Sequence, residues 1–160
     1  CEACPWKEVC RAQKSGRWRE LPVKSKAKAR RIEDRTVLVI KAEDKVLLHK
    51  RANKGLLAGL YEFPNVEGHL KEEEVITYLK KMGLSPIRLK KLEDSRHIFS
   101  HIEWHMTGYA VQIDETEQEY QNMLFVDVKE TEEQYPIPAA FSRYTGYMNI
   151  RLGNDRYKEE

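Results

Sequence analysis

No cysteine follows Cys10 in this 160-residue chain. Three thiols, Cys1, Cys4 and Cys10, cannot supply the paired framework that staples small secreted domains, and their crowding points to thiolate ligation of a soft metal. Glycine and proline are sparse, at 8 and 6 residues, which excludes a collagenous or Gly/Pro-rich chain. Long apolar runs are missing as well. None approaches the roughly 18 residues that span a bilayer, and the first residues lack a basic region followed by an apolar stretch. No membrane contact is therefore expected, and the compartment is read as cytoplasmic.

What is present suffices for one domain and a short appendage. Hydrophobic residues make up 41% and charged residues 34%, and the large apolar side chains are spread too widely for wholesale disorder. The net charge of +2 hides a split, because residues 1–33 carry ten Lys/Arg against four Asp/Glu and the remainder 18 against 22. A basic front on a mildly acidic globule suits contact with a polyanion through the front, although a solvated tail has the same composition. The chain opens at Cys rather than Met, inside a metal-type cysteine run, and is read as a piece of a longer protein.

The cysteines follow a C-x2-C-x5-C spacing. Zinc and cubane iron–sulfur sites both normally take four ligands, so a fourth is expected upstream of Cys1. With Pro5 and Trp6 inside the run and Arg11 and Lys14 just beyond it, the segment resembles the close of the iron–sulfur loop in the endonuclease III and MutY family of DNA glycosylases, spaced C-x6-C-x2-C-x5-C. That resemblance implies a [4Fe-4S] cluster in the parent protein, incomplete or absent on these residues alone, with residues 1–14 as the end of its loop.

Residues 15–33 read as a connector. Seven Lys/Arg fall between Arg17 and Arg31, among only Trp18, Leu21, Val23 and Ile32 as sizeable apolar side chains, and no helical or strand period is sustained. Lys26, Lys28 and Arg30 are the candidate phosphate contacts, with a solvated interdomain linker as the other reading.

From Asp34 onward the pattern is that of a folded α+β domain. TVLVIKA (Thr36 to Ala42) and VLLHK (Val46 to Lys50) around Glu43-Asp44-Lys45 predict a hairpin. Leu60 to Phe63 is an extended stretch stopped by Pro64. In EEEVITYLKKM, Val75, Ile76, Leu79 and Met82 recur at helical spacing, with acids first, lysines last and Gly83 after, so Glu72 to Met82 is predicted helical. Ile87 to Leu92, Ile102 to Ile113 and Leu124 to Val128 predict strands. Residues 114–133 hold eight Asp/Glu against one Lys and read as a solvated, weakly ordered edge. Pro138 is expected to open a closing helix with Phe141, Tyr144, Met148 and Leu152 on one face. The Leu56-Leu57 pair is too apolar for a free loop and is expected to tuck under the domain, Trp104 is assigned to the core, and His49, His69, His97 and His105 show no ligand spacing.

Tyr61-Glu62-Phe63-Pro64 followed by this helix and Met82-Gly83-Leu84 is similar to the Nudix fold, a mixed sheet flanked by helices. Catalytic members carry G-x5-E-x7-R-E-U-x-E-E-x-G-U there, with glutamates that bind Mg²⁺ for pyrophosphate hydrolysis. Set back from Gly83, the Arg-Glu pair falls on Ile76 and Thr77 and the Glu-Glu pair on Lys80 and Lys81. Hard divalent cations need oxygen ligands, and two ammonium groups repel them. Glu72, Glu73 and Glu74 sit at the helix start, where the dipole favours acids in any case.

Phe99-Ser100-His101, followed by Ile102-Glu103-Trp104, resembles the Phe-Ser-His loop of the MutY C-terminal domain, a Nudix-like module that inspects the base opposite adenine. The order of cysteines, basic connector, hairpin, YEFP, degenerate box and FSH segment extends the resemblance over the whole chain, with residues 34–160 as the lesion-recognition domain. It implies DNA base excision repair in the bacterial cytosol and nucleoid. The implied partners are duplex DNA carrying 8-oxoguanine:adenine mispairs and an N-terminal catalytic domain whose carboxylates lie outside these residues. It further implies that Ser100 reads the N7–H of the oxidised base, that Phe99 wedges between bases, and that His101 donates to a phosphate or braces the loop. On the residues alone, Phe99 as a strand-end core residue, Ser100 as a turn residue and His101 as a surface residue remain open. Two other functions stay in view: an active Nudix-type pyrophosphohydrolase acting on nucleoside diphosphate-linked substrates, against which the four box positions speak, and a metal-bearing interaction module that would show no salt-dependent DNA binding.

Overall fold

In the computed structural model, residues 1–23, 28–114, 122–131 and 133–149 are described. A short helix α1 (Arg11–Lys14) is followed by strands β1 (Arg31–Ala42), β2 (Lys45–Lys50), β3 (Tyr61–Glu62) and β4 (Asn65–Glu67). Helix α2 (Glu72–Lys81) comes next, then β5 (Pro86–Lys91), β6 (Ser95–Ile98), β7 (Ile102–Ile113) and β8 (Met123–Asp127). The chain closes through 3-10 turns at Val128–Thr131, Ala139–Phe141 and Gly146–Asn149, with α3 (Ser142–Thr145) between the last two.

The spine of the sheet is the parallel pairing of β1 with β7, eleven consecutive pairs from Arg31–Ile102 to Lys41–Gln112. Both strands are apolar on both faces over their central stretches, as a doubly covered sheet requires. Antiparallel neighbours complete the sheet: β5 and β6 on β7, β4 and β2 on β1, and β3 and β8 on β2. β5 lies at one end of the strand order, where Arg88, Lys90 and Lys91 supply the charges that discourage edge-to-edge pairing.

Strand periodicity sorts the core into two clusters. Leu38 and Ile40 of β1 join Leu47, Tyr109, Val111 and Ile113 under Val75 and Leu79 of α2. Val37 and Val39 join Val46, Leu48, Phe63, Trp104 and Met106 under Phe141, Tyr144 and Met148. Gly108 opens a notch for the second layer, because a Cβ at that position would lie 2.3 Å from Cε1 of Tyr144. The Tyr144 hydroxyl donates to the Met106 carbonyl at 3.1 Å, and burial pushes its phenol pKa up.

The hairpin, α2, the long strand at Ile102–Ile113 and the burial of Trp104 agree with the sequence pattern. Leu56 and Leu57 do pack against the core. Three features differ. The strand expected from Thr36 starts at Arg31, so the last residues of the basic stretch already belong to the sheet. β6 has no counterpart among the expected strands, because Ser95-Arg96-His97-Ile98 is too short and polar to display a period. The closing helix is broken into 3-10, α and 3-10 turns. Phe141, Tyr144 and Met148 reach the core from single local turns, and Gly146 costs a continuous helix about 1 kcal/mol relative to alanine. Leu152 lies outside the described residues, as do residues 115–121 and 132 of the acidic stretch.

Candidate functional site

The β6–β7 connection is a tight turn formed by Phe99, Ser100 and His101. The Phe99 amide donates to the Ile102 carbonyl at 2.8 Å and closes it. Ser100 and His101 are exposed, whereas Phe99 is half-buried. The end of the basic connector lies against this turn from the other side. Arg31 N–H donates to the His101 carbonyl at 3.1 Å, and Arg30 Nε–H donates to the Phe99 carbonyl at 3.3 Å. Sequence places these segments some seventy residues apart; the parallel register, which sets Arg31 opposite Ile102, brings them together.

Period-two geometry organises what lies beneath. Glu33 is opposite Trp104, and Trp104 is opposite His97, so the three form one row across β1, β7 and β6. Phe99, two residues beyond His97, falls on the same side. Its ring meets Trp104 edge to face at 4.9 Å between centroids and meets His97 at 4.7 Å. The Trp104 indole N–H donates to Glu33 Oε2 at 3.0 Å, and the Arg35 guanidinium lies 4.5 Å above the indole ring. Glu33 also accepts from Arg35 at 2.9 Å and from Arg31 at 2.5 Å. Hydrogen bonds from Arg35, and then from Arg31 and Trp104, hold the Glu33 carboxyl below the usual carboxylate range against the opposing effect of burial.

A second loop, residues 51–60, approaches the same tryptophan. Arg51 lies 5.9 Å from the Trp104 ring, pairs with the buried Glu62 through both carboxylate oxygens at 2.7 and 2.8 Å, and donates from Nε to the Leu56 carbonyl at 2.9 Å.

The other predicted residues divide clearly. Lys28 is exposed and Lys26 lies outside the described residues. Arg30, expected only as a phosphate contact, is bonded to the turn. Cys1 and Cys4 are exposed and Cys10 is half-buried, all as free thiols. Among the described residues no three His, Cys, Asp or Glu side chains are placed to hold a metal ion. As they stand the three cysteines do not fit a four-ligand cluster. On α2, Thr77, Lys80 and Lys81 are exposed and Ile76 is half-buried, while Glu74 accepts from the Lys71 amide at 2.8 Å as a helix cap. The histidines, scattered in sequence, are partly gathered: His69 and His105 lie 3.8 and 4.0 Å from Asp34, and His105 is 2.8 Å from Glu103. Sequence reasoning missed Glu33, whose one available signal is that, with Asp34 beside it, it closes a basic run. No helix among the described residues is long and apolar enough to cross a membrane.

A family model described as NUDIX domain matches residues 35–146. The adenine DNA glycosylase of Buchnera aphidicola subsp. Schizaphis graminum is 29% identical over 114 residues, which are 71% of this chain and 32% of that protein. The mouse adenine DNA glycosylase is 40% identical over 76 residues, 44% of this chain and 15% of that one. The chain thus spans a third or less of these relatives. Among solved structures, the C-terminal domain of mouse MUTYH, crystallised with human PCNA, superposes with a TM-score of 0.57 at 22% identity, covering 80% of this chain and 99% of that one. The MutT NUDIX hydrolase of Burkholderia pseudomallei gives 0.53 at 16%, covering 72% and 99%. At such identities the likeness is one of fold.

Proposed function

The chain belongs to the NUDIX domain family, and we propose that within it this module serves an adenine DNA glycosylase by reading 8-oxoguanine opposite the misplaced adenine. Removal of adenine then belongs to carboxylates of a catalytic domain outside these residues, in the compartment that holds the DNA. The two glycosylase relatives support this reading.

The observation that carries it is the Phe99-Ser100-His101 turn, which presents Ser100 and His101 to solvent beside the basic end of the connector. Oxidised guanine has a hydrogen on N7 where guanine has a lone pair, so its reader must accept there. A serine hydroxyl accepts, and by rotating can also donate to a neighbouring phosphate. Phe99 touches a base only with its free edge, because the rest of its ring is held by His97 and Trp104. Helix α2 supports no pyrophosphohydrolase: Ile76, Thr77, Lys80 and Lys81 supply none of the carboxylates that Mg²⁺ would need. Cys1, Cys4 and Cys10 would hold a cluster only with a ligand from elsewhere.

Binding of the chain to duplexes carrying 8-oxoguanine:adenine or guanine:adenine, followed by fluorescence anisotropy across a salt series, tests the reading. Ser100→Ala is expected to reduce the preference for the oxidised base by about 1–3 kcal/mol. Neutralising Lys26 and Lys28 weakens both duplexes alike and lowers the salt slope by roughly 0.9 for each phosphate no longer neutralised. A wild-type chain without the preference, or a Phe99→Ala, Ser100→Ala double variant that keeps it, would overturn the proposal.

A further inference from the structure

The Glu33 carboxylate is the hub of the contacts beneath the reading turn. It takes the Trp104 indole N–H at 3.0 Å, Arg35 at 2.9 Å and Arg31 at 2.5 Å, while its own side chain is only 15% exposed. A tryptophan offers one N–H, and a bond from it fixes which way the indole plane faces. Here that plane is clamped: Arg35 covers the ring at 4.5 Å, and Phe99 meets it at 4.9 Å with 72° between the planes. The Phe99 ring therefore takes its direction from Trp104, and Trp104 takes its direction from Glu33.

Packing alone does not require this arrangement. An indole buried among Phe99, Phe141 and Met106 is satisfied apolarly by any aromatic ring of similar size, and removing both the N–H and its acceptor is close to neutral for stability when the shape is kept. What the carboxylate adds is orientation. It also ties β1 to β7 beside the turn, because Glu33 of β1 bonds Trp104 of β7 and lies only two residues from Arg31, whose amide holds the His101 carbonyl. One side chain thus fixes the aromatic member of the turn, and the backbone beside it fixes the turn itself.

We infer that Glu33 is the positioning residue of the reading turn, holding Phe99 through Trp104 in the one orientation in which its free edge and Ser100 face the same base. This rests on the DNA-reading function proposed above. Glu33 itself touches no DNA in this scheme.

Two measurements on the 160-residue chain test it. In NMR spectra, wild type should show nuclear Overhauser contacts between the Phe99 and Trp104 rings and an exchange-protected Trp104 indole proton. Glu33→Ala should lose both while the α2 resonances stay in place, and Glu33→Gln, whose amide oxygen still accepts from the indole, should recover them. In the binding assay, Glu33→Ala should cut the preference for 8-oxoguanine over guanine about ten-fold, the scale of one base-reading contact. Glu33→Gln should restore most of it, and Glu33→Ala added to Phe99→Ala should cause no further loss. A destabilising substitution acting through the fold would instead disturb α2, and its loss would add to that of Phe99→Ala. Full preference in Glu33→Ala, ring contacts that persist in it, or additive losses in the double variant would overturn this inference while leaving the reading function standing. A wild-type chain with no preference would overturn both.

Discussion

Helix α2 and the β6–β7 turn lie on one sheet and divide the work of the molecule in opposite ways. On α2 the positions that matter are buried: Val75 and Leu79 seal one face of the core, and the exposed positions that a Nudix metal box would fill hold Thr77, Lys80 and Lys81. In the turn the exposed or half-exposed positions are held through the backbone, by bonds at Phe99 and His101. Ten residues of regular helix therefore carry packing with little chemistry, while the three-residue turn packs through Phe99 alone and, in the proposed reading, carries the chemistry. A fold's apolar positions and its chemical positions are thus separable: α2 keeps its helix and its buried face with none of the box carboxylates at Ile76, Thr77, Lys80 and Lys81.

The largest effect is expected where α2 seals the core. Leu79→Ala leaves a cavity under α2 and is expected to cost about 2–5 kcal/mol in urea unfolding. A cost below about 1 kcal/mol would show that α2 is not a wall of the core. On the opposite face, Gly108→Ala forces a methyl to 2.3 Å from the buried Tyr144 ring. Overpacking of that kind costs about 1–3 kcal/mol, with loss of the closing turns visible in the tyrosine near-ultraviolet signal. An unchanged midpoint would mean that Tyr144 is free to withdraw. The smallest effect belongs to the emptied box. Lys80→Glu with Lys81→Glu should lower stability by less than about 1 kcal/mol, because both sites are exposed and acids are disfavoured at a helix C-terminus. The double variant, like wild type, should release no pyrophosphate from 8-oxo-dGTP with Mg²⁺. Turnover on the order of 1 per second would show that α2 carries chemistry after all.

The packing side is the more legible in sequence. Apolar spacing in EEEVITYLKKM and the long run from Ile102 to Ile113 give α2 and β7 directly, because burial leaves a period. The turn's residues are visible only through resemblance, since a serine and a histidine in a turn have no pattern of their own. Glu33 and Arg30 stay illegible for a different reason: their partners Trp104 and Phe99 are about seventy positions away, and only the parallel register decides that they meet. The broken closing helix is hidden because Phe141, Tyr144 and Met148 have the spacing of a continuous helix even though each is delivered by a separate turn.

The pairing of β1 with β7 has a mechanical consequence. Both strands run in the same direction, and both start at the edge where the connector arrives and the turn sits. A pull on the connector along β1 loads the eleven pairs together, in shear, rather than peeling them one at a time. The first bond in that line is the one between Arg31 and the His101 carbonyl. A load applied at the start of β1 thus reaches the turn before it reaches the rest of the sheet.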